Sequence, residues 1–124
     1  MRQENVEYFS DKEEEFINIF IESGTGRNVA KVLVFLASTP EATSRAIERG
    51  TDMRQPEISL VMKNLTNQGW IKDSERAPES KGRPTKVYKL AKPISVIIDS
   101  IEKEKKNKIK NHLALVKKLR NYLN

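Results

Sequence analysis

The run Lys81-Gly82-Arg83-Pro84 sets two cations around a glycine and a proline, which hold a chain in a narrow extended turn. Arginine on such a turn fits phosphate or a minor groove. Earlier in the chain Arg54, Gln55, Glu57, Ser59, Leu60 and Lys63 occupy one side of a helical period, with Ile58, Val61, Met62 and Leu65 on the other. An amide pairs with adenine, a carboxylate accepts from cytosine, and arginine or lysine meets phosphate or guanine. This is the chemistry of reading a duplex, not of breaking bonds.

The remaining inventory supports no catalysis. The chain has no cysteine and one histidine, which removes thiolate nucleophiles, disulfides and zinc fingers together. His112 has no second histidine or cysteine near it in sequence and reads as an interface or surface residue. Gly24-Thr25-Gly26 precedes a helix but lacks the Gly-Lys-Ser/Thr of a phosphate loop, so it reads as a turn. Asp11, Glu13, Glu14 and Glu15 lack calcium-loop spacing and instead favour the positive end of a helix dipole. The reading is of a non-enzyme without metal or cofactor.

Charge is unevenly placed along the 124 residues. Residues 1–22 hold two Lys/Arg against seven Asp/Glu, residues 71–92 seven against three, and residues 93–124 eight against three, within a total of +6. An acidic front and a basic back suit a partner that is a polyanion. The longest apolar run, Val32 to Ala37, is far too short to span a bilayer, and the acidic start lacks the pattern of a signal peptide. A cytoplasmic location with no membrane partner is expected.

The elements that must position these residues are legible from spacing. Ser10 and Glu13 form a capping box ahead of a helix with the apolar face Phe16, Ile17, Phe20 and Ile21. A second helix from about residue 27 to Ala37 buries Val29, Val32, Leu33 and Leu36, with Val34 and Phe35 widening the arc. A short third helix covers about Thr43 to Arg49, with Gly50 as its stop. After a turn at Thr51, Asp52 and Met53, Pro56 lies in the first turn of the next helix and Gly69 closes it. Trp70-Ile71-Lys72 and Lys86 to Leu90 read as strands, with a loop between them and Trp70 in the core. A helix followed by a hairpin with a cationic tip is the layout of a winged helix.

From Pro93 onward one long helix carries Ile94, Ile97, Ile98 and Ile101, then Ile109, His112, Leu113, Val116, Leu119 and Leu123. The charged block at residues 102–108 splits this stripe into two short apolar seams. Apolar stripes at both ends of the chain point to a homodimer with Phe16, Phe20, Ile97, Ile101, Ile109, Val116 and Leu119 in its interface.

The runs RNVAKVLVFLA, SRAIERGTDMRQPEISLVMKNLTNQGWI and KGRPTKVYKL resemble the winged helix-turn-helix domains of archaeal and bacterial transcriptional regulators of the MarR and TrmB type. The resemblance covers about residues 27–92, with the helix after it as looser support. It implies that residues 54–68 form the recognition helix and residues 78–86 the wing. Arg54 stands where those families place a small polar cap, and the link before it is about one residue longer.

The expected fold is mainly α with a small β-hairpin (α+β): a winged helix-turn-helix with N-terminal and long C-terminal dimerisation helices. Residues 1–25 form an N-terminal packing arm, 26–92 the DNA-binding domain and 93–124 the dimerisation helix. The expected function is sequence-specific regulation of transcription by a homodimer on double-stranded DNA. Arg54, Gln55, Glu57, Ser59, Leu60 and Lys63 would enter the major groove, with Arg76, Lys81, Gly82, Arg83 and Lys86 on the wing. The alternative is an interaction subunit of transcription or replication machinery that binds DNA without sequence preference or not at all.

Overall fold

The computed structural model describes residues 9–77 and 82–124. The chain divides into two compact units, Met1–Lys92 and Pro93–Asn124. In order the first contains α1 (Asp11–Glu22), α2 (Arg27–Ser38), β1 (Ala42–Thr43), α3 (Ser44–Thr51), α4 (Gln55–Asn67), β2 (Ile71–Arg76) and β3 (Thr85–Leu90). The second is α5 (Ile94–Asn121).

The capping box forms as its spacing predicts. Ser10 N–H donates to Glu13 Oε1 at 2.9 Å and Glu13 N–H donates to Ser10 Oγ at 3.2 Å. Two of the free amides at the start of α1 are thereby satisfied. The other Glu13 oxygen accepts from Ser38 Oγ at 3.0 Å, which ties the start of α1 to the end of α2. Ile17 and Phe20 are buried, and the Phe16 and Phe20 rings lie 4.9 Å apart.

Helix α2 is the hub of the first unit, packing against α1, α3, α4 and β3. Its Ala30, Val32, Leu33, Val34 and Leu36 are all buried. So wide an apolar arc is what a helix surrounded by other elements needs.

Helix α3 runs past Gly50, which the sequence marked as its stop, to Thr51. The reason is steric. A Cβ at Gly50 would sit 2.7 Å from atoms of the Phe35 ring, so glycine is there to let α3 approach α2. Thr51 is buried inside that last turn and its hydroxyl donates to Ile47 O at 2.6 Å. The helix ends at Asp52, which adopts the left-handed conformation at φ 55° and ψ 46°. The amides of Asp52 and Met53 both return to Glu48 O, and Met53 is buried below the turn.

Helix α4 places Ile58, Val61, Met62 and Leu65 in the core as their spacing predicts. Gly69 at φ 77° turns the chain, and Trp70 N–H bonds Leu65 O at 3.0 Å while its side chain is buried. The sheet has order β1-β3-β2, all antiparallel. Thr43 pairs with Val87 and Ala42 with Tyr88, while β2 runs in register with β3 from Ile71↔Leu90 to Arg76↔Thr85. The hairpin is thus longer than expected, and β1 is an addition. Two residues carry no periodicity of their own, so β1 exists only because β3 offers an edge.

Helix α5 has 28 residues, about 42 Å at 1.5 Å per residue, and begins after Pro93. Ile109, Leu113, Val116 and Leu119 along its second half are exposed. Phe20 and Ile97, expected in a dimer seam, are buried in the single chain and leave no free surface there. Phe16 and Ile101 are half-buried. Among the described residues no helix is long and apolar enough to cross a membrane.

Candidate nucleic-acid interface

With its four apolar residues turned inward, α4 exposes Arg54, Gln55, Glu57, Ser59, Leu60 and Lys63. Leu60, in the middle of α4, is 73% exposed. Pro56 lies within the first turn, where its missing N–H costs no hydrogen bond.

Arg54 adopts the extended conformation of a cap, at φ −90° and ψ 157°. The capping comes from Glu57, whose Oε1 accepts from Arg54 N–H at 3.0 Å. This is only the reciprocal half of a capping box, since the Arg54 guanidinium has donors alone and accepts nothing from the first helical amides, and Glu57 already has a structural partner.

Gln55 is held on both sides. Ser44 Oγ donates to Gln55 Oε1 at 3.3 Å and Gln55 Nε2 donates to Ser59 Oγ at 3.1 Å. Beside these three residues a cleft of about 280 Å³ opens between α4 and the sheet, bordered also by Lys63, Asp73 and Tyr88. Ser44, Asp73 and Tyr88 escaped the sequence reading. The signal in sequence is slight, because only the meeting of α3, α4 and the hairpin brings them together.

Among the described residues, two hairpin cations have carboxylate partners and Arg83 has none. Arg76 forms an ion pair with Glu41, and Lys86 Nζ lies 3.6 Å from Asp73 Oδ2. Both were expected to bind DNA, and each has a neighbouring carboxylate that partly neutralises it. Arg83 is exposed and has no carboxylate within ion-pairing distance among the described residues. Gly82 precedes it at φ 154°, a backbone angle natural to glycine, which explains glycine at that place in the turn. Lys81 lies outside the described residues.

Pleating separates the strand lysines. Lys86 is on the face of Tyr88, whereas Lys89 is on the face of Val87 and pairs directly with Lys72. Lys86 and Lys89 therefore do not share one face of the hairpin. Among the described residues no cluster of His, Cys, Asp or Glu is arranged to hold a metal.

No family model and no curated protein matches the chain. Solved structures do. NMB1585, a MarR family regulator from Neisseria meningitidis, matches over 77% of this chain and 68% of its own, with 20% identity and a TM-score of 0.50. The transcriptional regulator PA4135 matches over 91% of this chain and 88% of its own, with 18% identity and a TM-score of 0.52. The chain has the MarR-type winged-helix fold. The MarR family transcription regulator SP03579 matches over 82% of this chain and 66% of its own, with 20% identity and a TM-score of 0.51. In this winged helix, α3 and α4 form the helix-turn-helix and β2 and β3 the wing. At such identities the likeness is one of backbone, so the role of each side chain rests on the contacts described above.

Proposed function

We propose that the chain is a sequence-specific transcriptional regulator of double-stranded DNA. The observation that carries this reading is the division of α4. Every apolar residue of its core face is buried, while Arg54, Gln55, Ser59, Leu60 and Lys63 stand exposed on a helix whose position the core fixes. A rigid helix of 13 residues with such a face fits a major groove, which admits one α-helix. Leu60 supplies apolar contact for a thymine methyl group, Arg54 and Lys63 meet phosphate or guanine, and Arg83 reaches the flanking backbone or minor groove. The MarR-type fold supports the same arrangement.

The regulator acts as a homodimer. The exposed apolar row Ile109, Leu113, Val116 and Leu119 on α5 is the surface a second copy covers, and a dimer reads a two-fold symmetric site with half-sites about one helical turn apart. Its place of action is the cytoplasm, on promoter DNA.

The reading is tested by titrating the chain against its preferred duplex and a scrambled duplex at several salt concentrations. The regulator binds both with salt-dependent affinity and prefers the first. Equal affinity for both at every salt concentration identifies a nonspecific adaptor instead.

A further inference from the structure

Ser44 begins α3, Gln55 begins α4, and Ser59 lies one turn further along α4. The three side chains form a continuous hydrogen-bonded row, Ser44 Oγ to Gln55 Oε1 at 3.3 Å and Gln55 Nε2 to Ser59 Oγ at 3.1 Å. A glutamine on a helix surface ordinarily samples many rotamers and gives them up when it contacts a base. Gln55 instead meets two hydroxyls, one of them from another helix, and both contacts favour the same rotamer.

A carboxamide offers two acceptor lone pairs and two donor hydrogens. Ser44 occupies one lone pair and Ser59 one hydrogen, which leaves one acceptor and one donor on adjacent atoms. Adenine presents a donor beside an acceptor on its major-groove edge, N6–H₂ and N7, whereas guanine presents two acceptors there. A hydroxyl donates as well as accepts, so the remaining pair is the same if the amide is turned over.

We propose that Gln55, clamped between Ser44 and Ser59, reads one adenine of the target duplex, and that Ser44 is the positioning residue for this contact. The assignment rests on the DNA-reading function proposed above. It moves Ser59 from base contact to support, and gives α3 a share in specificity through a residue that touches no base.

The test uses the full chain and the duplex it selects from a random pool, with each adenine of the site replaced in turn by 7-deazaadenine, which lacks N7. Wild type loses about 10-fold in affinity at one adenine. Gln55→Ala loses about as much on the unmodified site and is indifferent to the replacement. Ser44→Ala binds the unmodified site less tightly than wild type and suffers a smaller penalty from the replacement, while Ser44→Thr, which keeps the hydroxyl, restores both. Melting temperature and affinity for a scrambled duplex stay at the wild-type values throughout. A wild type that prefers no duplex overturns the regulator reading and this inference together. A wild type that prefers a duplex, while Ser44→Ala keeps the full 7-deazaadenine penalty or Gln55→Ala still feels it, overturns the clamp alone.

Discussion

Two arginines of one hairpin have different fates. Arg76 is engaged by Glu41, thirty-five positions away in sequence, and Arg83 has no ion-pair partner among the described residues. Replacing Arg83 with alanine is predicted to weaken binding to every duplex similarly and to reduce the slope of log affinity against log salt by about 1, as loss of one phosphate contact does. An unchanged slope removes Arg83 from the interface. Glu13 makes a prediction about pH. The backbone N–H of Ser10 holds its carboxyl below the ordinary value of 4.5; desolvation opposes this, and the hydroxyls of Ser38 and Ser10 add to the lowering. A lowered folded-state value means that its stabilisation is fully present above 4.5 and fades as pH falls through the lowered value. Glu13→Gln is therefore less stable than wild type at neutral pH, and denaturant titrations of the two converge in acid. Convergence at alkaline pH, or none, contradicts the assignment. The types of the proposed reading residues were legible in the sequence because helical period alone turns Ser59 and Lys63 away from Ile58 and Leu65 and sets Gln55 at the margin of that core face. Tertiary partners were not, because Ser44 reaches Gln55, and Glu41 reaches Arg76, through contacts that have no spacing.

At the scale of elements, sequence spacing gave the position of every helix, for a physical reason: each has an apolar face whose period survives on paper. The ends were less legible. Gly50 looks like a helix stop because glycine is common there, yet its role is to admit the Phe35 ring, and the helix ends at Asp52 through backbone bonds to Glu48. The distinction is measurable. A glycine inside a helix normally gains about 1 kcal/mol on conversion to alanine, but Gly50→Ala is predicted to lose about 1–3 kcal/mol by overpacking against Phe35. Combining it with Phe35→Leu recovers part of the loss, and a double-mutant cycle by urea denaturation reads the coupling. A stabilising Gly50→Ala shows that α2 and α3 do not meet as described. Strand β1 went unseen because a two-residue strand is defined by its partner, Thr43 and Ala42 by Val87 and Tyr88.

For the whole molecule, the exposed apolar row of α5 is the surface on which the proposed homodimer rests. Replacing Leu113 and Leu119 with glutamate puts two charges where a second copy's apolar surface is expected, and each lost leucine removes about 1.5–3 kcal/mol of burial. Sedimentation at micromolar concentration should show wild type as a dimer and the variant as a monomer, with unchanged helix content by circular dichroism. A variant that sediments with wild type places the dimer seam elsewhere. The proposed dimer in turn predicts the form of the target, since two copies of α4 related by a two-fold axis would demand a symmetric site. The most direct test of the regulator reading is therefore selection of bound duplexes from a random pool, followed by affinity measurement of the winner against a scrambled duplex at one fixed salt concentration. The predicted winner has two inverted half-sites about one helical turn, or a multiple of it, apart and is bound at least about 1,000-fold more tightly. A pool that returns no shared sequence, with all duplexes bound alike, contradicts it.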